Sequence, residues 1–248
     1  MSSNTNITNP ELKKRILLVA ANPATSTVTQ WPVGFWWAEL THPYWAFVEA
    51  GYEVEIRSPE GGALQADGFS DPEDDSGYSA ADILSLGFKK SAQHRALIED
   101  TKSIVDVNPA HYDAVFLVGG QSPMFTFRGN EAVQRLVASF YEAGKVTALV
   151  CHATCALLET KLSSGELLVA GKTWTGFANA EEQYADDYVG QRIQPFWIED
   201  EAKAIEGTNF VVDQAFRAFA VRDGRLVTGQ QQFSGAAAAA LVIEALGR

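Results

Sequence analysis

The residues best able to do chemistry stand in one stretch, Lys145 to Leu158. There an apolar run rich in β-branched residues stops at Cys151-His152 and continues as an Ala/Leu-rich helix former. Such a switch reads as a buried strand turning sharply into a helix, with Cys151 at the turn. A thiol in that place lies beside the unpaired amides and positive end of the following helix, which stabilise a thiolate and lower its pKa. That is the environment of a nucleophile, with His152 next to it. Cysteine is also among the residue types most often buried and inert, and Cys155, one helical turn on, takes that plainer reading.

Two other places carry chemical capacity. Gly119-Gly120 closes the apolar strand Tyr112 to Val118 and is followed by Gln121-Ser122. Paired glycines at a strand's carboxyl end leave backbone amides free for a ligand or a developing oxyanion, although a tight turn uses the same residues. Glu39 stands among Trp36, Trp37 and Leu40, ahead of a helix expected to begin near Pro43 and to stop at Gly51. A carboxylate facing aromatics is costly to bury charged, so its pKa would rise toward neutrality; an exposed Glu on a loop fits the same letters. The segment 178–189, with Glu181, Glu182, Asp186 and Asp187, reads as an acidic helix, a pattern that usually marks a solvated face.

These residues need a scaffold, and the rest of the chain supplies an alternating one. Residues 15–21, 53–57, 112–118 and 145–150 read as strands. Helices are expected over 79–100 with a break at Gly87, over 130–143 up to Gly144, and after an N-cap at Ser234; a hairpin turns at Asp223-Gly224. Strands alternating with helices give a parallel sheet covered on both faces. With 248 residues, 46% of them hydrophobic, the chain is long enough for one α/β domain, 15–248, after a flexible tail over 1–14.

Composition excludes several classes of partner. A net charge of −12 without a Lys/Arg cluster repels nucleic acid and anionic membrane, and no apolar run approaches a bilayer span. Two cysteines four residues apart cannot form a disulfide framework, and the first residues lack the apolar core of a signal peptide, so a cytoplasmic protein is expected. There is no zinc-ligand spacing, phosphate-binding glycine loop or GxSxG motif; no metal and no cofactor are expected.

Six blocks taken in order carry a resemblance over residues 15 to 246. They are Trp37-Ala-Glu39-Leu-Thr-His-Pro43; Ser58-Pro-Glu-Gly-Gly62 with Asp67 and Ser70; Val118-Gly-Gly120; Ala148-Leu-Val-Cys151-His152; Gly171-Lys-Thr-Trp-Thr-Gly-Phe177 with Glu182; and Asp223-Gly-Arg-Leu-Val-Thr-Gly229. The set resembles the ThiJ/PfpI superfamily, of class I glutamine amidotransferase-like fold, and is most similar to the branch of heat-shock chaperones and glutathione-independent glyoxalase III. The resemblance implies a flavodoxin-like three-layer sandwich with a mainly parallel sheet, and a nucleophile-elbow cysteine, here Cys151. It implies that His152 pairs with Glu182, which turns inward while Glu181 stays solvated. It maps the family's N-terminal glutamate on Glu39. The oxyanion and substrate site then falls to Gly119, Gly120 and Gln121, with the amides of Gly120 and His152 aimed at the oxyanion. Two departures line the same pocket: Gly119-Gly120-Gln121-Ser122 where many glyoxalase III members have Gly-Gly-His-Gly, and Cys151-His152-Ala153-Thr154 where they have Cys-His-Gly-Pro.

The expected activity is that of a glyoxalase III-type lyase, or D-lactate dehydratase, acting on small reactive carbonyls such as methylglyoxal. A thiolate can attack an aldehyde, and a carboxyl of raised pKa can carry a proton between neighbouring carbons. Alternatives of other classes are a thiol-dependent amidase, peptidase or isonitrile hydratase, and a stress chaperone or redox sensor without turnover. The expected partner is a small carbonyl substrate, with a homodimer as the assembly allowed for.

Overall fold

The strand β1 (Arg15–Val19) is buried from Ile16 onward on both faces, which only a sheet covered on both sides provides. The computed structural model describes residues 13–247, so most of the predicted tail, residues 1–12, lies outside the described residues. β1 is joined in one sheet by β2 (Glu53–Ser58), β3 (Lys102–Ser103), β4 (Ala114–Leu117), β5 (Val146–Val150), β6 (Ala220–Asp223) and β7 (Leu226–Gly229). The order across the sheet is β6-β7-β5-β4-β1-β2-β3, and every pair is parallel except the β6/β7 hairpin. Among the five central strands this is the flavodoxin order.

The main helices are α1 (Trp37–Glu49), α2 (Ile83–Lys90), α3 (Ala92–Glu99), α4 (Glu131–Glu142), α5 (Asn179–Val189) and α6 (Gly235–Ala245). α1 carries the chain from β1 to β2, whereas α4 carries it from β4 to β5, in the opposite direction across the sheet. Right-handed crossovers place those two helices on opposite faces. α1 packs along α6, where Gly235 lets the helices close up: a Cβ there would lie 3.3 Å from the ring of Pro43.

The register decides what the carboxyl edge presents. Leu117 of β4 is level with Leu149 of β5, and Gly229 of β7 is level with Val150. The chain therefore leaves the sheet at Gly119 and at Cys151 side by side, at the carboxyl ends of β4 and β5, with β4 bordering the point between β1 and β4 where strand order reverses and where open α/β sheets bind ligands.

Three local expectations are corrected. Helix α1 begins at Trp37, so Pro43 lies inside it and Glu39 occupies the first turn. A proline there removes one helical hydrogen bond, and its ring is instead buried against α6. The helical stretch 79–100 breaks at Ser91 rather than at Gly87. Ser91 ends α2 and starts α3, where its hydroxyl accepts the His94 amide at 3.4 Å. Ser234 precedes α6 without capping it through its side chain; its Oγ accepts the amides of Phe219 and Gln231, each at 3.2 Å.

Asn130 does cap a helix: its Oδ1 accepts the amides of Ala132 and Val133 at 3.0 and 3.2 Å. Asn130→Ala should cost about 1 kcal/mol of stability, read as a lower urea midpoint with an unchanged slope. A loss below about 0.3 kcal/mol would show that the cap contributes nothing here.

Candidate active site

Val150 is extended, and the next residue, Cys151, turns to φ 54°, a left-handed conformation unfavourable for any residue with a Cβ. Holding it there costs of order 1–3 kcal/mol, which the surroundings must offset. They do so by close fit. Thr154 donates its hydroxyl to the Cys151 carbonyl at 2.7 Å, and the segment Cys151–Leu158, buried throughout, winds as a 3-10 helix. Gly176 leaves the room that the Thr154 hydroxyl occupies, since a Cβ at that position would collide with it.

The turn places Cys151 against two partners. His152 Nδ1 is 3.5 Å from Sγ, and His152 Nε2 is 3.0 Å from Glu182 Oε1, with the imidazole stacked on Phe177 at 4.2 Å between centroids. On the other side stands Glu39, fully buried; its Oε2 accepts the Gly119 amide at 3.0 Å, its Oε1 has no hydrogen-bond partner among the described residues, and its carboxyl is set against the Cys151 thiol. Gly119 has no alternative residue. A Cβ there would collide with Glu39 Oε2 and lie 2.8 Å from Cys151 Cβ. Gly120, at φ 109°, is equally constrained, because a Cβ would lie 2.6 Å from the backbone of Gly34, Phe35 and Trp36. The amides of Gly120 and His152 both point at the sulfur. Cys155 is buried, its thiol donating to the Pro123 carbonyl, and burial pushes its pKa up.

Burial governs the charges here. It raises Glu39 from 4.5 to about 8, against the lowering effects of the Cys151 thiol, His152 and the Gly119 amide. The Cys151 thiol, expected to be acidified by the turn, is instead pushed up, first by burial and then by Glu39; the amides of His152 and Gly120 only partly offset this. Burial alone would lower His152, but Glu182 beside it reverses the sign and its pKa is raised. Glu182 itself is raised by burial despite that partner.

The geometry brings together Cys151, His152, Glu182, Glu39, Gly119 and Gly120, and Gln121 lines the pocket above them. Two residues carry more than the sequence reading gave them. Asp67, buried, receives the Gly34 amide at 2.8 Å and the Gln121 amide at 2.7 Å, so it ties down the loop that carries Gly119 and Gly120. Burial raises it to about 7. Glu181 is corrected: far from solvated, it is fully buried and accepts the amides of Ala178 and Phe216 and the Gln230 side chain, each at 2.9 Å. An acidic helix whose polar partners come from distant loops cannot be told by its letters from one that faces water.

The raised carboxyls make a sign prediction. Glu39 and Asp67 bind protons more tightly folded than unfolded, so between their unfolded pKa values (4.5 and 3.8) and their folded ones (about 8 and about 7) stability falls as pH rises. Urea midpoints should therefore be higher at about pH 5.5 than at about pH 8, and Glu39→Gln should flatten the difference. Equal midpoints in the wild type would mean that these carboxyls are charged and solvated.

The chain matches the DJ-1/PfpI family over residues 33–245. It is 29% identical over 236 residues to a probable glutathione-independent glyoxalase, hsp3103, of Schizosaccharomyces pombe, covering 86% of this chain and 90% of the relative. Glyoxalase 3 of Candida albicans is 26% identical over 215 residues, covering 86% and 89%. The crystal structure of Candida albicans glyoxalase III superposes with a TM-score of 0.75 at 24% identity, covering 94% of this chain and 97% of that one, a likeness of fold. With the sheet order, the strained cysteine turn and the match over most of its length in agreement, this chain belongs to the DJ-1/PfpI family.

Proposed function

We propose that the protein is a glutathione-independent glyoxalase, converting a 2-oxoaldehyde and water into the 2-hydroxy acid, methylglyoxal into lactate. The observation that carries the reading is the buried carboxyl of Glu39 set against the Cys151 thiol, with His152–Glu182 on the other side of the sulfur. A hydrolase of amides has no use for a second proton carrier of raised pKa at that place; a rearrangement that moves hydrogen from one carbon to the next does. The names of the curated relatives support the same reading.

In the form of the Cys151/Glu39 pair that has lost one proton, the Glu39 carboxylate takes the thiol proton as sulfur bonds to the aldehyde carbon, and the oxyanion that forms, held by the amides of Gly120 and His152, takes that proton back, giving a hemithioacetal. Glu39, again a carboxylate, removes the hydrogen from the former aldehyde carbon, leaving an enediolate; the proton on the first oxygen passes to the neighbouring one, and Glu39 returns its proton to the neighbouring carbon. The ketone is thereby reduced to an alcohol and the aldehyde carbon oxidised to a thioester. Water then adds to the thioester with His152–Glu182 taking its proton, the carbon–sulfur bond breaks, and the sulfur regains a proton as lactate leaves. Two free cysteines and no disulfide suit a reducing compartment, which supports a cytoplasmic site of action. The assembly that goes with this reading is a homodimer.

Purified protein given methylglyoxal without glutathione should release lactate, with kcat/KM rising through about pH 8 as the Cys151/Glu39 pair loses one of its two protons. Cys151→Ala should abolish turnover. Glu39→Gln should lower it by about 10² to 10⁴ while iodoacetamide still alkylates Cys151. Ammonia release from amides without lactate formation would overturn the proposal, and so would Glu39→Gln turnover within a few-fold of wild type.

A further inference from the structure

Above Cys151 and His152 lies a cavity of about 180 Å³ with walls far larger than a methyl group requires. Trp31, Trp36, Tyr78, Phe177, Tyr184 and Phe216 are among its lining residues, and none of the lining residues is Lys or Arg. The rings brace one another: Trp36 meets Tyr78 edge to face at 6.0 Å, and Tyr184 meets Phe216 at 5.1 Å. Phe216 is held in an unusual way. Its φ is 59°, and its amide donates to Glu181 Oε1 at 2.9 Å; the same oxygen takes the Gln230 side chain at 2.9 Å. A buried carboxylate thus pins a left-handed phenylalanine as one wall of the pocket, a specific arrangement that a loop with no role in recognition has no reason to maintain.

Resting on the glyoxalase reading, we infer that this site is built for uncharged 2-oxoaldehydes bearing an aromatic or similarly bulky apolar substituent, with Phe216 as a specificity residue and Glu181 as its positioning residue. The carbonyl end sits over Cys151 and the substituent fills the aromatic box. An aryl ring there makes edge-to-face contacts and leaves water, whereas the methyl of methylglyoxal reaches few of these walls. A carboxylate or phosphate on the substituent meets no Lys or Arg, faces Glu182, and approaches a chain of net charge −12. Gln121 and Gln194 also line the cavity, each with a buried amide oxygen that has no hydrogen-bond partner among the described residues. Both can accept hydroxyl donors from the substrate carbonyl group in its hydrated form.

The test compares methylglyoxal, phenylglyoxal and 4-carboxyphenylglyoxal, each followed as its 2-hydroxy acid by chromatography. The wild type should favour phenylglyoxal over methylglyoxal by about tenfold or more in kcat/KM, mostly through KM, and over its carboxylated analogue by about a hundredfold. Phe216→Ala and Glu181→Gln should each shrink the first preference to within about threefold, and Phe216→Leu should retain part of it. Phe216 is only partly buried, so Phe216→Ala tests the claim even if Glu181→Gln fails to fold. Equal or better use of methylglyoxal, or equal use of the carboxylated substrate, would overturn this inference and leave the glyoxalase reading standing. Absence of hydroxy acid from all three substrates would overturn both.

Discussion

A carboxyl buried against a thiol is the interaction on which the rest of this structure depends. Taking a carboxylate out of water is costly, and the buried thiol beside it is pushed up as well, so the pair keeps its protons near neutrality in the place where a reaction can use them. Every close constraint nearby preserves that contact. Gly119 leaves out the Cβ that would separate Glu39 from Cys151, and its amide fixes which carboxyl oxygen is occupied. Asp67 tethers the following residues from below, and α1 presents Glu39 in its first turn, where the helix end itself favours negative charge. The expense of burial is what makes the group responsive.

Strain and fit supply the second half of the arrangement. The left-handed Cys151 and the left-handed Phe216 are two of three non-glycine residues with positive φ among the described residues, and both face the same cavity. Each is held by a polar side chain: Cys151 by Thr154, whose hydroxyl donates to its carbonyl, and Phe216 by Glu181, which accepts its amide. Adjacent residues of α5 divide the work, with Glu182 orienting His152 and Glu181 orienting the wall opposite. A single helical turn thus couples the proton-transfer pair to the shape of the pocket.

Much of this was legible in the letters, for identifiable reasons. Continuous apolar runs such as 15–21 and 145–150 show buried parallel strands because both faces need covering, and the abrupt change at Cys151 shows the turn. Gly144 and Gly224 mark element ends correctly because positive φ favours glycine, and both adopt it. The failures share one cause, that long-range packing outweighs local preference. Pro43 sits inside a helix because α6 covers its ring, and the Ser234 hydroxyl is taken up by the amides of Phe219 and Gln231. The acidity expected of Cys151 from its turn is reversed by burial, and Glu181 is drawn inward by partners 35 and 49 residues away.

The central claim is that Glu39, set against Cys151, holds a proton at neutral pH. Infrared difference spectra between wild type and Glu39→Gln, recorded across a pH titration, isolate the carbonyl stretch of that one protonated carboxyl from Asp67 and the other raised groups. The account predicts a band present at neutral pH that disappears with a midpoint of about 8. A midpoint near the ordinary 4.5 of a glutamate, with no band at neutral pH, would contradict it.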